Sequence, residues 1–69
     1  MILDGKAVVN ARHKRGLTLM DVSKKTGLAL GTLVSAENYR EIRVSTARKL
    51  AQFYKLDLGA IVVMNREQK

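Results

Sequence analysis

The chain has 69 residues, which is enough for one small domain and leaves no room for a second hydrophobic core. Hydrophobic residues make up 46% of the chain, so a packed interior is expected and disorder throughout is excluded. The net charge of +7 favours a polyanionic partner, with nucleic acid ahead of an anionic membrane surface. Because the chain has no cysteine, neither a disulfide framework nor a thiolate metal site is available.

The apolar runs are too short for a membrane protein. The longest one covers residues 60–64, far less than a membrane span requires. The first residues also lack the basic and apolar regions of a signal peptide. We therefore expect a soluble cytoplasmic protein with no membrane partner.

The residues that usually carry catalysis are few and dispersed. His13 is the only histidine, and it lies within a basic stretch. The six acidic residues form no close pair suited to general acid–base chemistry, and the five glycines form no phosphate-binding loop. We expect no enzymatic activity, no metal and no cofactor.

Local sequence signals predict a first helix over residues 4–15. Asp4 is a favourable N-cap, and Leu3 and Val8 have the spacing of a hydrophobic staple around it. A basic stretch precedes Gly16, which suits the negative end of the helix dipole and a left-handed stop.

The next two helices are predicted over residues 18–26 and 29–38. Thr18, with Asp21 three residues later, has the pattern of a capping box. Ala29 precedes the third helix and offers no side-chain acceptor, so the start of this helix has no favourable cap.

Two further helices complete the prediction. Ser45 is expected to cap a fourth helix over residues 45–54, and Asp57 a fifth over residues 57–64. Residues 66–69 are predicted to be a frayed tail. The expected fold is a single all-α domain, a compact five-helix bundle that spans residues 1–69.

The second and third predicted helices have the spacing of a helix-turn-helix, with a short turn around Gly27. Specific residues carry a closer likeness: Gly16-Leu17-Thr18, Val22, Gly27-Leu28, Thr32-Leu33, Glu37-Asn38 and Lys49-Leu50-Ala51. Over residues 8–62 the chain resembles the phage-repressor/Cro-like (XRE-type) helix-turn-helix family. This resemblance implies a lambda-repressor-like fold and a transcriptional regulator, a repressor or switch protein, that occupies operator DNA as a two-fold dimer. It also implies a prokaryotic, phage or mobile-element origin.

The resemblance assigns roles to particular positions. Arg12 and Glu37 match a buried ion pair that ties the first helix to the recognition helix. Leu19 departs from the pattern, because family members usually place there a glutamine that holds a phosphate. The expected DNA-binding residues lie on and after the third helix: Leu30, Gly31, Thr32, Val34, Ser35, Asn38, Arg40 and Arg43, with Lys49 beside them.

Base recognition by this set is expected to be limited. Among the base-facing positions of the third helix and the adjacent Thr32, only Ser35 and Thr32 can hydrogen-bond a base edge, while Leu30 and Val34 can only pack on thymine methyl groups. Alternatives remain open at this point: the two apolar residues belong to the core, or they bind a protein. In the latter case the chain is a protein-interaction module on the same fold, an antitoxin-like or anti-repressor component.

Two other interpretations concern the rest of the surface. One alternative is that the basic residues form ordinary solvated faces. Another is RNA or nonspecific nucleic-acid binding, which only the net charge of +7 supports, because the three aromatic residues are too few and too scattered for stacking platforms. The predicted fifth helix is apolar nearly all round, which indicates a homodimer interface; the alternative is that it packs entirely on the fourth helix. The residues concerned are Leu58, Ile61, Val62, Val63 and Met64.

Overall fold

Five helices and one short pair of strands form residues 1–64, the part of the chain that this computed structural model describes. The predicted tail at residues 66–69 lies outside the described residues. In chain order, the elements are β1 (Ile2–Leu3), α1 (Gly5–Lys14), α2 (Leu19–Thr26), α3 (Leu30–Glu37), α4 (Val44–Tyr54), α5 (Leu58–Ile61) and β2 (Val62–Met64). Within residues 1–64 no helix combines the length and the apolar character that crossing a bilayer needs.

Three helices begin at the capping residues that the sequence predicts. The Asp4 carboxylate accepts hydrogen bonds from the first-turn N–H groups of α1, and Asp57 accepts one from the N–H of Gly59 at α5. Thr18 and Asp21 exchange both hydrogen bonds of a capping box at α2. These side chains satisfy N–H groups that have no partner inside the helix.

The other two helices begin without a side-chain cap. α3 follows Ala29, as the sequence predicts. The prediction for α4 is wrong by one residue, because the helix starts at Val44 after Arg43 and places Ser45 inside its first turn. Val44 is half-buried and packs against the core as a helical residue, and this packing outweighs the capping preference of Ser45.

The fifth helix is shorter than predicted. It ends at Ile61, and Val62–Met64 forms a strand that pairs antiparallel with Ile2–Leu3, so the prediction of helix through residue 64 is wrong. The two consecutive valines favour extended backbone, and β1 offers the hydrogen-bonding partner that a helix would not use. This small sheet is the only departure from the predicted all-helical architecture within residues 1–64.

The core receives side chains from every helix and from the first residues of the chain. Its members are less than a tenth exposed, and the four largest of the fully buried side chains come from β1, α1, α2 and α4. These four are Leu3, Val8, Val22 and Leu50.

Candidate nucleic-acid interface

A short turn holds α2 and α3 in a fixed relation. Gly27 has a φ of 76°, a left-handed conformation that glycine adopts without strain, and it ends α2. Thr26, which is buried, donates from its hydroxyl to the carbonyl of Val22 (2.7 Å) and accepts from the N–H of Leu28 (3.2 Å). The Ser23 hydroxyl donates to the Leu28 carbonyl at 2.7 Å. Sequence reasoning missed both hydroxyl residues, although Ser and Thr in the last turn of a helix are recognisable as turn-bracing residues.

The two faces of α3 differ in exposure. Leu33 and Ala36 point inward and are 2% and 0% exposed. Leu30 is 41% exposed, so it is not a core residue, whereas Val34 is half-buried. The outward face is completed by Gly31, which is exposed, and by Thr32 and Ser35, which are half-buried.

An ion pair with α1 fixes the position of α3. Arg12 of α1 donates from Nε to Oε2 of Glu37 (2.8 Å) and from Nη2 to Oε1 (3.1 Å), while its Nη1 donates to the carbonyl of Leu17 (3.0 Å). The two side chains are 13% and 8% exposed. The hydrogen bonds that Arg12 donates to the Glu37 carboxylate raise the pKa of Arg12 above its usual range. The pair occupies both carboxylate oxygens and ties the end of α3 to α1.

The two residues that follow α3 hold its end in place through their side chains. The Asn38 side-chain amide donates to the carbonyl of Val34 (2.7 Å), so this exposed residue, expected at a phosphate, already uses one donor on the helix. Tyr39 has a φ of 58°, and its hydroxyl donates to Asp4 Oδ1 (2.9 Å) and accepts from the N–H of Lys6 (3.3 Å). Tyr39 therefore connects α3 to the first turn of α1.

Three hydroxyl groups and one guanidinium meet in an open cleft between α3 and the start of α4, the α3–α4 cleft. Its volume is about 390 Å³. It is lined by Leu28, Thr32, Ser35, Glu41, Ile42, Arg43 and Thr46. The structure thus brings together Thr32, Ser35 and Arg43 from the predicted set. Thr46 was missed, although its place in the first turn of the helix that follows Arg43 is a readable signal.

Further cationic residues lie in the connector between α3 and α4 and on α4 itself. Arg40 is exposed, and its backbone N–H donates to the Ser35 carbonyl (3.1 Å), which holds the connector against α3. Lys49, on α4, is also exposed but does not line the cleft. The single acidic residue among the described lining residues, Glu41, forms an ion pair with the amino group of Met1. The uncapped N-terminus of α4 adds N–H groups that favour an anion at the same side.

The start of α2 presents apolar side chains. Leu19, in the place where the family pattern has glutamine, is half-buried and packs against the core. The next residue, Met20, is 57% exposed. Leu19 and Met20 therefore offer no side-chain donor to a phosphate.

The predicted dimer residues separate into two groups. Ile61 is buried, and Leu58 and Val62 pack against the core of their own chain. Val63 and Met64 are 57% and 44% exposed on β2.

The described residues contain no cluster of His, Asp and Glu side chains arranged for a metal ion. The fold and the α3 surface define a helix-turn-helix domain. A model of the helix-turn-helix family matches residues 10–61, and the chain belongs to this family, in its XRE/Cro-like branch, as the sequence predicted. No curated protein and no solved structure matches the chain. The family consists of DNA-binding regulators and is not typically enzymatic, so the domain belongs to the DNA-binding regulatory class.

Proposed function

We propose that the protein is a sequence-specific transcriptional regulator, a repressor or switch that acts by occupying operator DNA. The observation that carries this proposal is the outward face of α3, which lies beside a cleft lined by hydroxyl groups and Arg43 in a chain of the helix-turn-helix family. Occupancy of a promoter requires neither catalysis nor a metal. We place its action in the cytoplasm of a prokaryotic cell, on chromosomal, phage or mobile-element DNA.

In this proposal α3 lies in the major groove. Thr32 and Ser35 hydrogen-bond base edges, and Leu30 and Val34 contact thymine methyl groups, while Gly31 allows close approach to the DNA. None of these side chains can make a bidentate contact, which is worth about 1–3 kcal/mol of discrimination per base pair. Specificity therefore depends also on DNA deformability and on the spacing of half-sites.

Phosphate contacts supply most of the affinity. Arg40 and Arg43 bind the backbone on one flank of the groove, with Asn38, Thr46 and Lys49 beside them. Such contacts position the protein but do not specify the sequence. The net charge of +7 supports a large electrostatic share of the binding free energy.

We also propose that the regulator binds as a two-fold dimer, with half-sites about 34 Å apart. The exposed Val63 and Met64 support a self-complementary contact with a second copy, and the adjoining Leu58, Ile61 and Val62 support that surface from the core side.

A salt titration with two duplexes tests the function. An operator sequence is first selected from a random duplex pool with the full chain. Its affinity is then compared with that of a scrambled duplex between 50 and 200 mM salt. Over this range, binding that depends on phosphate contacts loses about 10³–10⁵ in affinity. The expected result is a steep slope for both duplexes and tighter binding of the selected one at every salt concentration. Failure of selection to enrich any sequence would contradict a sequence-specific regulator.

A protein-interaction module on the same fold is the second candidate. The exposed Met20 and Leu30 favour it, because exposed apolar side chains in the first turns of α2 and α3 suit a protein surface. This candidate predicts binding of all duplexes with equal weak affinity that vanishes at physiological salt.

A further inference from the structure

A second open cleft lies between α1 and the end of α4, the α1–α4 cleft. Its volume is about 390 Å³, and its lining residues are Ala7, Asn10, Ala11, Lys14, Arg15, Tyr54 and Leu56. Among the described residues it shares no lining residue with the α3–α4 cleft. The DNA-binding proposal leaves this cleft unused.

Tyr54 provides a buried polar group in this cleft. Its side chain is only 5% exposed, yet its hydroxyl forms no hydrogen bond with any residue in the described part of the chain. Every fully buried side-chain nitrogen or oxygen within residues 1–64 has a hydrogen-bond partner. Because the Tyr54 hydroxyl has none there, its oxygen must keep some exposure to solvent. Tyr54 is one of the residues that line the cleft, and we infer that its hydroxyl is available there as a donor. Burial, and then the negative charge of Glu37, raise the pKa of Tyr54 and keep the proton in place.

The rim of the cleft is cationic. Lys14 and Arg15 are exposed, Asn10 adds an amide, and none of the described lining residues is acidic. The Arg15 guanidinium lies 5.2 Å from the centroid of the Phe53 ring and 5.8 Å from that of Tyr54. These cation–π contacts restrict the Arg15 side chain, which lowers the entropy that a bound anion must remove.

The floor of the cleft is apolar. Ala7, Ala11 and Leu56 are half-buried and pack against the core, and each also lines the cleft. An apolar floor beside cations and a hydroxyl donor matches a ligand that carries a carboxylate next to an apolar side chain.

We propose that the α1–α4 cleft docks an acidic segment of a partner protein, with a carboxylate of that segment at Lys14 and the Tyr54 hydroxyl. A neighbouring apolar side chain of the segment covers Ala7, Ala11 and Leu56. A protein segment suits this site better than a free small carboxylate, because binding pockets for small molecules bury most of the ligand, whereas Asn10 and the two cations here lie in the open. A phosphate backbone would leave the apolar floor uncovered. Docking at this cleft and DNA binding at α3 use different residues, so the protein can do both at once.

A titration with a defined peptide tests this proposal. Fluorescence and backbone amide shifts of the ¹⁵N-labelled full chain are followed as a peptide of sequence GELEFG, with blocked ends, is added. The expected result is saturable shifts at Ala7, Ala11 and Lys14, with no change at Thr32 or Ser35. The matched peptide GQLQFG is expected not to bind. Shifts centred on the α3–α4 cleft, or equal binding of the two peptides, would overturn the proposal.

Three variants separate docking from general electrostatics. Lys14→Glu is expected to lower the affinity for the peptide by about tenfold or more, because a cation that binds the peptide carboxylate becomes an anion that repels it. Lys24→Glu makes the same charge change on α2, outside the cleft, and is expected to leave most of the affinity. Tyr54→Phe removes only the hydroxyl, so it is expected to lower the affinity for the peptide about fivefold with no loss of thermal stability.

The pattern of losses decides the outcome. Equal losses of peptide affinity in Lys14→Glu and Lys24→Glu would mean nonspecific electrostatic attraction and would overturn the site. An unchanged peptide affinity in Tyr54→Phe would also overturn it. Free phenylacetate that binds as tightly as the peptide would assign the cleft to a small carboxylate and overturn the protein partner.

Discussion

Gly5 lies directly against the backbone of Glu37. A Cβ placed on Gly5 would lie 2.7 Å from the carbonyl carbon of Glu37 and 3.2 Å from the Tyr39 ring. The start of α1 and the end of α3 therefore meet backbone to backbone. The Arg12–Glu37 ion pair and the Tyr39–Asp4 hydrogen bond join the same two helices, so α1 sets the position of α3.

Gly5→Ala is expected to separate these helices. The new methyl group meets backbone rather than a flexible side chain, so the free energy of unfolding should fall by about 1–3 kcal/mol. Urea unfolding measures this loss. Gly31→Ala is the matched control, because a Cβ there meets nothing within 4 Å. Since alanine is the better helix former, Gly31→Ala should raise stability by up to about 1 kcal/mol. Destabilisation of both variants by the same amount would contradict the close approach at Gly5.

Glu37→Ala is expected to be among the most destabilising single changes in this chain. It leaves the Arg12 guanidinium charged and nearly buried without its partner, which costs about 3–5 kcal/mol. Urea unfolding of the variant checks the value, with exposed Lys24→Ala as a control expected within about 0.5 kcal/mol of the parent. A loss below about 1 kcal/mol for Glu37→Ala would show that the pair does not stabilise the fold.

The loss of folding stability at acid pH should depend on Asp4. The Tyr39 hydroxyl, and then the N–H of Ala7, lower the pKa of Asp4 below its usual 3.8. A carboxylate with a lowered pKa stabilises the fold above its usual pKa, and this contribution is lost as the pH falls through the lowered value. Tyr39→Phe should therefore raise the pKa of Asp4 toward 3.8, as followed by carboxyl NMR shifts. The lowered pKa of Asp21 comes from Thr18 and should not change in this variant.

The DNA surface should separate affinity from sequence preference. Arg43→Ala is expected to weaken all duplexes about equally and to lower the salt slope by about one per protomer, because one phosphate contact is lost. Val34→Ala should instead reduce the preference for thymine-containing half-sites and leave the slope unchanged. Fluorescence anisotropy at several salt concentrations measures both.

Lys14→Gln is the control for Arg43→Ala, since it removes one positive charge from the α1–α4 cleft and should not alter the slope. If Val34→Ala changes neither affinity nor preference while Arg43→Ala lowers both affinity and slope, α3 is not the reading element.

Val63→Lys should abolish dimerisation without unfolding the monomer, because the side chain is 57% exposed and a charge there opposes an apolar contact. Met20→Lys, at a side chain that is also 57% exposed, is the control and should leave the dimer intact. Sedimentation with and without operator DNA gives the stoichiometry. A wild-type monomer at high concentration in both conditions would rule out the dimer.

Local chemistry explains why most of the fold could be predicted. Asp4, Thr18 and Asp57 each cap a helix through an interaction within a few residues, so short sequence windows contain the signal. The β1–β2 pair was missed because its partners lie at opposite ends of the described chain. An apolar run such as Val62–Met64 is compatible with either helix or strand until its partner is known.

The site was predictable only in part, for a similar reason. The spacing of α3 distinguishes its inward residues Leu33 and Ala36, whereas the α3–α4 cleft depends on how the connector folds back. Thr46 lines the α3–α4 cleft because the connector brings the first turn of α4 beside α3, and Tyr54 meets residues of α1 only in the α1–α4 cleft of the folded chain. The place of Thr46 in the first turn after Arg43 is a local signal, whereas the position of Tyr54 in the α1–α4 cleft has none.

The β1–β2 pair also implies an order of folding. Leu3 pairs with Val62, and the N–H of Asp4 donates to the Ile61 carbonyl at 2.7 Å, so these contacts close a loop that includes all five helices. Closing so long a loop has a high entropic cost, and strands of two and three residues are too short to recover it alone. The pair should therefore form after the helices have docked and open before they separate. Hydrogen exchange at Asp4 then reports on completion of the fold rather than on its nucleus.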